Sequence, residues 1–149
     1  MNIKKRHILL ILSIALLCTN CTKDSQPQKK YINMTDCVDK VSNLDWSKLE
    51  YDKLYIIRSI DEYTQYMKES MPAFDIDFKK QSLLIIKGQA NRGVNDIIKK
   101  MTETDAENYI LNIDLTLNDT LIAEEWHIGI LTPTIPYNKE VELRIKYQN

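Results

Sequence analysis

The second half of the chain alternates apolar and polar residues, which predicts several β-strands. The clearest example is residues 109–117, where apolar side chains occupy every second position: Tyr109, Leu111, Ile113, Leu115 and Leu117. A period of two places one face of a strand on the core and the other in water. Residues 125–131 and 141–146 show the same period, and residues 97–102 are predicted as a further strand. We therefore predict four strands here and expect the segment 118–120 to join the first pair by a turn.

Two earlier segments predict further strands. Residues 54–57 are rich in β-branched and aromatic side chains, and residues 82–86 are apolar at consecutive positions, as in a central strand covered on both faces. Gly88 is expected to close the second of them. Residues 74–78 alternate strictly and predict an extended segment.

A single helix is predicted between these strands. Ser59 followed three residues later by Glu62 has the pattern of a capping box, so the helix should begin at Ile60. Tyr63, Tyr66 and Met67 would share one face, and Pro72 should prevent any continuation. Trp46 is expected to pack on the domain from an ordered loop or a short helical turn.

The order of these elements is strand, helix and then five or six closely spaced strands. Short connections between consecutive strands favour antiparallel pairing. We therefore predict an α+β domain, with a curved, mostly antiparallel β-sheet or a partly open barrel and one packed helix.

The first 20 residues have the layout of a secretory signal peptide. Three cations precede an apolar run at residues 8–17, which is too short to span a bilayer. A cysteine at the end of such a segment resembles the lipobox of bacterial lipoproteins, in which the thiol carries acyl chains such as palmitate. Cys21 fits better than Cys18, because a polar stretch follows Cys21 directly. A signal peptide without lipidation is the alternative. An Asp directly after the lipidated cysteine resembles a retention signal for the inner membrane. Because Thr22 stands at that position instead, the outer membrane of the cell envelope is favoured.

Three regions follow from this pattern: a signal peptide at 1–20, a lipid anchor and flexible tether at 21–35, and one β-rich globular domain at 36–149. Removal of the leader takes away three of the 20 cations and none of the 21 anions, so the net charge changes from −1 to −4. A mildly acidic chain offers no basic surface for nucleic acid. We expect the membrane, through the anchor, and a protein or glycan as partners.

The residues that could carry chemistry do not form a recognisable catalytic set. Cys37 is predicted to be a small buried side chain and His127 a solvated or edge residue, because neither has a partner of the required type nearby in sequence. Gly88 and Gly93 have the spacing of the two glycines in a phosphate loop, but the Lys and the Ser or Thr that should follow the second glycine are absent. We therefore expect no enzymatic activity, no catalytic residues, no cofactor and no metal site.

Two acidic pairs, Asp75 with Asp77 and Glu124 with Glu125, carry the groups that carboxylate catalysis and calcium binding use. Glycoside hydrolysis needs two carboxyl groups across a cleft, and calcium needs six or more oxygens. Neither context is visible in the sequence. Solvated positions on the strands are favoured, and a carboxylate-based hydrolase is the weakest functional alternative.

Two loops are candidate sites. Asn91, Arg92 and Asn95 form a polar turn between predicted strands, and loops carry function more often than strands do. They are the candidate partner-binding loop. Residues 119–121 resemble the short acceptor for O-linked glycosylation in exported Bacteroides-type proteins, which makes Thr120 a candidate O-glycosylation site.

The order of segments resembles a known group of proteins over about residues 53–147. Residues 54–59 lead into a short Glu-containing helix, followed by the segments 76–80, 83–88 and 91–94 and by a Pro-Tyr segment before the last strand. This looks like the hypothetical lipoproteins of Bacteroides-type bacteria. More distantly, it is similar to the C-terminal domain of the PrcB-type accessory subunit of a surface protease complex. The resemblance implies a β-rich domain that binds a partner, and it supplies no catalytic residues.

The sequence thus predicts a non-enzymatic lipoprotein of the bacterial cell envelope whose domain binds a protein or a glycan. An accessory or inhibitory subunit of a surface protease is the alternative that the resemblance implies.

Overall fold

A computed structural model describes residues 29–68 and 75–148, so the predicted signal peptide and Cys21 lie outside the described residues. The described part contains eight strands and one α-helix. In chain order they are β1 (Lys30–Tyr31), β2 (Thr35–Asp36), β3 (Lys53–Ile57), α1 (Ile60–Gln65), β4 (Gln81–Ala90), β5 (Val94–Glu103), β6 (Tyr109–Leu117), β7 (Glu124–Pro133) and β8 (Val141–Gln148). Two short 3₁₀ helices, Val38–Val41 and Trp46–Lys48, lie between β2 and β3.

The strands form two four-stranded sheets. Sheet A has the order β1-β5-β6-β8, and sheet B has the order β2-β7-β4-β3. All pairings are antiparallel except that of β6 with β8, which is parallel. The predicted α+β class with mostly antiparallel strands and a single helix is confirmed for the described residues, which contain no closed barrel.

The main hydrophobic core lies between the two sheets. It combines alternate residues of β4, β5, β6 and β7, among them Leu84, Met101, Ile113 and Ile128, each at most 1% exposed. Full burial of one such side chain stabilises the fold by roughly 1.5–3 kcal/mol. The predicted inward faces of residues 109–117 and 125–131 are confirmed by this core.

A second hydrophobic cluster covers the other face of sheet B. It joins Leu83 and Ile85 of β4 to Val41 and Tyr63 of the helical segments and to Leu44, which lies between the two 3₁₀ helices. β4 is therefore buried from both sides, which explains its consecutive apolar residues and confirms the predicted central strand.

The predicted start of the helix is also confirmed. The Ser59 hydroxyl accepts a hydrogen bond from the Glu62 backbone N–H at 3.1 Å. The Glu62 carboxylate accepts one from the Arg58 backbone N–H at 2.6 Å, one residue earlier than in an ideal capping box. The helix ends at Gln65, and Pro72 lies outside the described residues.

Three predictions about element boundaries were wrong. The tether was predicted to extend to residue 35, but β1 pairs with β5 and β2 pairs with β7, so the ordered part begins earlier. Gly88 does not close β4: it lies inside the strand, where its missing side chain leaves room for the Trp126 ring. Residues 75–78 are not a strand, because Asp77 begins a turn in which its carbonyl accepts from the Gln81 N–H at 3.0 Å.

The predicted pairing of residues 125–131 with residues 109–117 was wrong as well. β7 pairs with β4 along ten positions, and β6 pairs with β5 and β8. The connection after β6 therefore crosses from sheet A to sheet B. Alternation identifies both strands and their inward faces, but it contains no information about which sheet each joins.

Candidate functional site

The two ends of the sandwich differ in the segments that they carry. The N-terminal segment enters at the end where Lys30 lies opposite Glu103 and Thr35 lies opposite Leu131, near the C-termini of β5 and β7. The opposite end carries the β4–β5 turn and the β6–β7 connection. We call residues 91–93 and 118–123 the distal loops, because they lie at the end remote from the N-terminal segment.

Backbone hydrogen bonds join the distal loops to each other. The Gly93 N–H donates to the Thr120 carbonyl at 3.2 Å, and the Asn118 N–H donates to the Gly93 carbonyl at 2.9 Å. The Asn118 side chain lies against Gly93, where a Cβ atom would clash with it. Asn118 also accepts from the Thr120 N–H at 2.9 Å, in the manner of an Asx turn. The two loops therefore form one joined surface.

Two aliphatic side chains project from this surface into solvent. Leu121 is 81% exposed and Ile122 is 71% exposed, the highest values among the large aliphatic residues of the described part. Two adjacent aliphatic side chains at such exposure lose contact with water only when another surface covers them. The pair is the most distinctive feature of the distal loops.

The candidate partner-binding residues lie beside this pair. Asn91 and Asn95 are exposed, and Arg92 is half-buried. Arg92 takes part in none of the salt bridges found within the described part of the chain, so its charge can meet an acidic group of a partner. Asn95 also lines a groove of about 370 Å³ that extends along the start of β5 to Glu124. The structure thus brings the predicted loop together with a feature that the sequence analysis did not identify.

Thr120 lies on the same loops. The residue is exposed, and its backbone N–H closes the Asn118 turn. O-glycosylation there stays a prediction.

His127 belongs to a cluster on the outer face of sheet B. Its ring stacks on Trp46, with 4.3 Å between centroids, and its Nε2 lies 2.8 Å from Glu125 Oε1. The Tyr51 hydroxyl donates to Glu125 Oε2 at 2.6 Å, and the Lys87 ammonium lies over the Tyr51 ring. The Tyr51 hydrogen bond lowers the pKa of Glu125, while the same bond raises the pKa of Tyr51. The prediction of a solvated or edge residue is wrong for His127, because its ring is half-buried against Trp46 on a strand with neighbours on both sides. The predicted packing of Trp46 on the domain is confirmed.

These groups bond to one another and hold the loop at residue 51 against β7. The Glu125 carboxylate has a bond on each oxygen, and the Lys87 side chain is buried to 7% exposure among its neighbours. The cluster acts as a structural clamp between the segment that precedes β3 and the middle of sheet B.

The acidic pairs of the sequence separate in the fold. Glu124 accepts a hydrogen bond from the Val94 N–H at 2.7 Å and so fixes the start of β5, whereas Glu125 belongs to the His127 cluster. Asp77 accepts from the Lys79 N–H and pairs with Lys80 at 2.9 Å, which lowers the pKa of its carboxyl through the lysine hydrogen bond. Asp75 is exposed. Among residues 29–68 and 75–148, no three His, Cys, Asp or Glu side chains are grouped to hold a metal ion.

Cys37 is buried, as predicted. It is 2% exposed within the cluster beneath the 3₁₀ helices, and its N–H donates to the Gly129 carbonyl at 2.8 Å. Burial raises the pKa of its thiol to about 11. A thiol with this pKa is protonated at neutral pH and is a weak nucleophile.

The sequence alone does not distinguish the aliphatic pair Leu121–Ile122 from other apolar residues. Both residues stand next to a predicted turn, and isolated apolar residues in turns are common enough to carry no signal. The pair follows Asn118-Asp119-Thr120, and only Ala123 separates it from two glutamates. Residues 118–125 do not alternate as a strand would. Only the fold shows that it projects from the end remote from the N-terminal segment.

None of the helices that the structure describes has the length and apolar character needed to cross a membrane. In comparisons with known proteins, no family model matches the chain, and no curated protein or solved structure matches it either.

Proposed function

We propose that this chain is a non-enzymatic lipoprotein of the bacterial cell envelope, lipid-anchored through Cys21, whose domain binds a protein partner through the distal loops. The observation that supports this best is the separation of two features. The N-terminal segment enters at one end of the sandwich, and the exposed pair Leu121–Ile122 projects from the other. An anchor that precedes Lys30 would leave the distal loops free to meet a partner.

A protein is favoured over a glycan as the partner. Protein interfaces have an apolar centre surrounded by polar groups, and the distal loops present an aliphatic pair beside Arg92 and two asparagines. Exposed aliphatic side chains gain most from contact with an apolar patch, which proteins supply. The resemblance to the PrcB-type accessory subunit makes an exported protease one candidate class of partner.

Site-specific photo-crosslinking in the native host tests the proposal. A photoreactive amino acid at Ile122 should give a crosslinked adduct with a heterologous protein, because Ile122 lies at the centre of the proposed contact. The adduct is measured by affinity purification and mass spectrometry. The matched control places the same group at Ile98, which is 45% exposed on the outer face of sheet A and should give no such adduct.

A second variant checks that the adduct reports binding. Leu121→Asp together with an Ile122 photoprobe should reduce the yield at least about fivefold, since a charge would be buried in the contact. Equal adducts from Ile122 and Ile98, or none from Ile122 at any stage of growth, would contradict a partner at the distal loops.

A further inference from the structure

The edge of sheet A formed by β8 presents a long, regular row of backbone groups. β8 pairs with β6 in unbroken register over eight residues, and within the described residues no strand pairs with its other side. An edge of this kind is a template for pairing with another strand. The opposite edge differs, because β1 covers the end of β5 and a register shift between Val94 and Asp96 interrupts its start.

The charges along β8 and at Glu140, the residue directly before it, are ordered. Residues 140–146 read Glu-Val-Glu-Leu-Arg-Ile-Lys, so the acidic residues come first and the basic residues follow. All four charged residues are exposed, whereas Val141, Leu143 and Ile145 are partly buried against the core. The exposed face of the edge strand therefore carries negative charge at its beginning and positive charge at its end.

We propose that two copies of this chain pair through β8 in antiparallel orientation, with the two-fold axis at Leu143. Antiparallel pairing about this residue places Glu142 opposite the Arg144 of the second copy. It places Glu140 opposite the second Lys146, so that all four charge pairs across the axis are attractive. Opposite charges on directly facing residues stabilise antiparallel strands.

The apolar residues fit the same register. Leu143 faces the Leu143 of the second copy, and Val141 faces the Ile145 of the second copy. These residues lie on the side that continues the hydrophobic cores. In the single chain, Arg144 instead bonds Glu142 of its own strand at 2.7 and 3.0 Å, with both side chains more than half exposed. These groups can exchange partners without burial of an unpaired charge.

The charge order selects one arrangement over its neighbours. A register shifted by two residues would place Arg144 opposite Arg144 or Glu142 opposite Glu142, and parallel pairing in register would place like charges side by side. A second copy is thus the occupant that the sequence of β8 complements. The association extends sheet A into eight strands and places the distal loops of the two copies at opposite ends. It is argued from the β8 edge alone and does not depend on the proposed function.

Charge reversal tests the pairing directly. The acidic variant Arg144→Glu/Lys146→Glu and the basic variant Glu140→Lys/Glu142→Lys each make the edge uniform in sign. The full-length protein, purified in a mild detergent, should sediment as a dimer, and each variant alone should bind itself at least about tenfold more weakly. A one-to-one mixture of the two variants should restore the dimer. Circular dichroism confirms that each variant is folded.

The control is Lys79→Glu/Lys100→Glu, which changes the net charge as the acidic variant does but at exposed residues away from the β8 edge. It should remain dimeric. Leu143→Cys should form an intermolecular disulfide on oxidation, whereas Ile145→Cys should not. The proposal is overturned if the wild type is monomeric, or if either variant dimerises alone. It is also overturned if the mixture stays monomeric, or if an unrelated peptide binds along β8.

Discussion

At the scale of single residues, the fold decides the chemistry of groups that the sequence leaves open. Cys37 and His127 both occur without an obvious partner in sequence, and the prediction that neither is catalytic rested on this alone. The structure shows where each group lies: Cys37 is enclosed beneath the 3₁₀ helices, and the His127 ring is held between Trp46 and Glu125. Burial against the second cluster could not be predicted, because it depends on segments far apart in the chain.

The raised pKa of Cys37 predicts how its thiol reacts. Native protein at pH 8 should be alkylated at Cys37 at least about 100-fold more slowly than protein in denaturant, because the thiol is both covered and protonated. The measurement is mass spectrometry of the peptide that contains Cys37 after timed exposure to iodoacetamide. Alkylation at the same rate in both states would show that the residue is accessible.

The same shift gives a pH dependence of stability. A thiol whose pKa is higher in the folded state stabilises the fold fully below its ordinary value of 9.0, and this contribution is lost as the pH rises towards about 11. The loss of unfolding free energy over this range should be smaller in Cys37→Ala than in the wild type. An identical pH profile for the two would contradict the shift.

At the scale of elements, the sequence predicts strands and faces better than it predicts partners. The alternation of residues 109–117 gives β6 with its bounds and its inward face, since both depend on local periodicity. Whether β7 joins β6 or β4 depends on the path of the connecting loop. β1 and β2 contain two residues each, too few for any period to be visible.

Glycine is a common turn residue, but Gly88 lies within β4, and the Trp126 ring packs against it. Gly88→Ala would place a methyl group inside the Trp126 ring, so the substitution should destabilise the fold by about 1–3 kcal/mol. Urea unfolding measures this change. Gln89→Ala, at an exposed position of the same strand, should change stability by less than about 0.5 kcal/mol. Equal effects would mean that the ring does not occupy the space above Gly88.

At the scale of the whole molecule, the proposed function combines a lipid anchor at Cys21 with a binding surface at the distal loops. Eight residues, Thr22 to Lys29, lie between Cys21 and the start of β1 at Lys30. A chain of this length reaches at most about 29 Å. The domain would thus stay close to the membrane while its distal loops face away from the anchoring segment. The sequence predicts a leader, whereas the position of Leu121–Ile122 at the end remote from β1 required the fold.

Metabolic labelling with a palmitate analogue tests the central claim most directly, combined with fractionation of the host cells. The account predicts that the wild-type protein carries the label and sediments with the outer membrane, and that Cys21→Ser loses both properties. Cys18→Ser and Cys37→Ser should keep both. A wild-type protein without label, or Cys21→Ser that fractionates as the wild type does, would contradict the account.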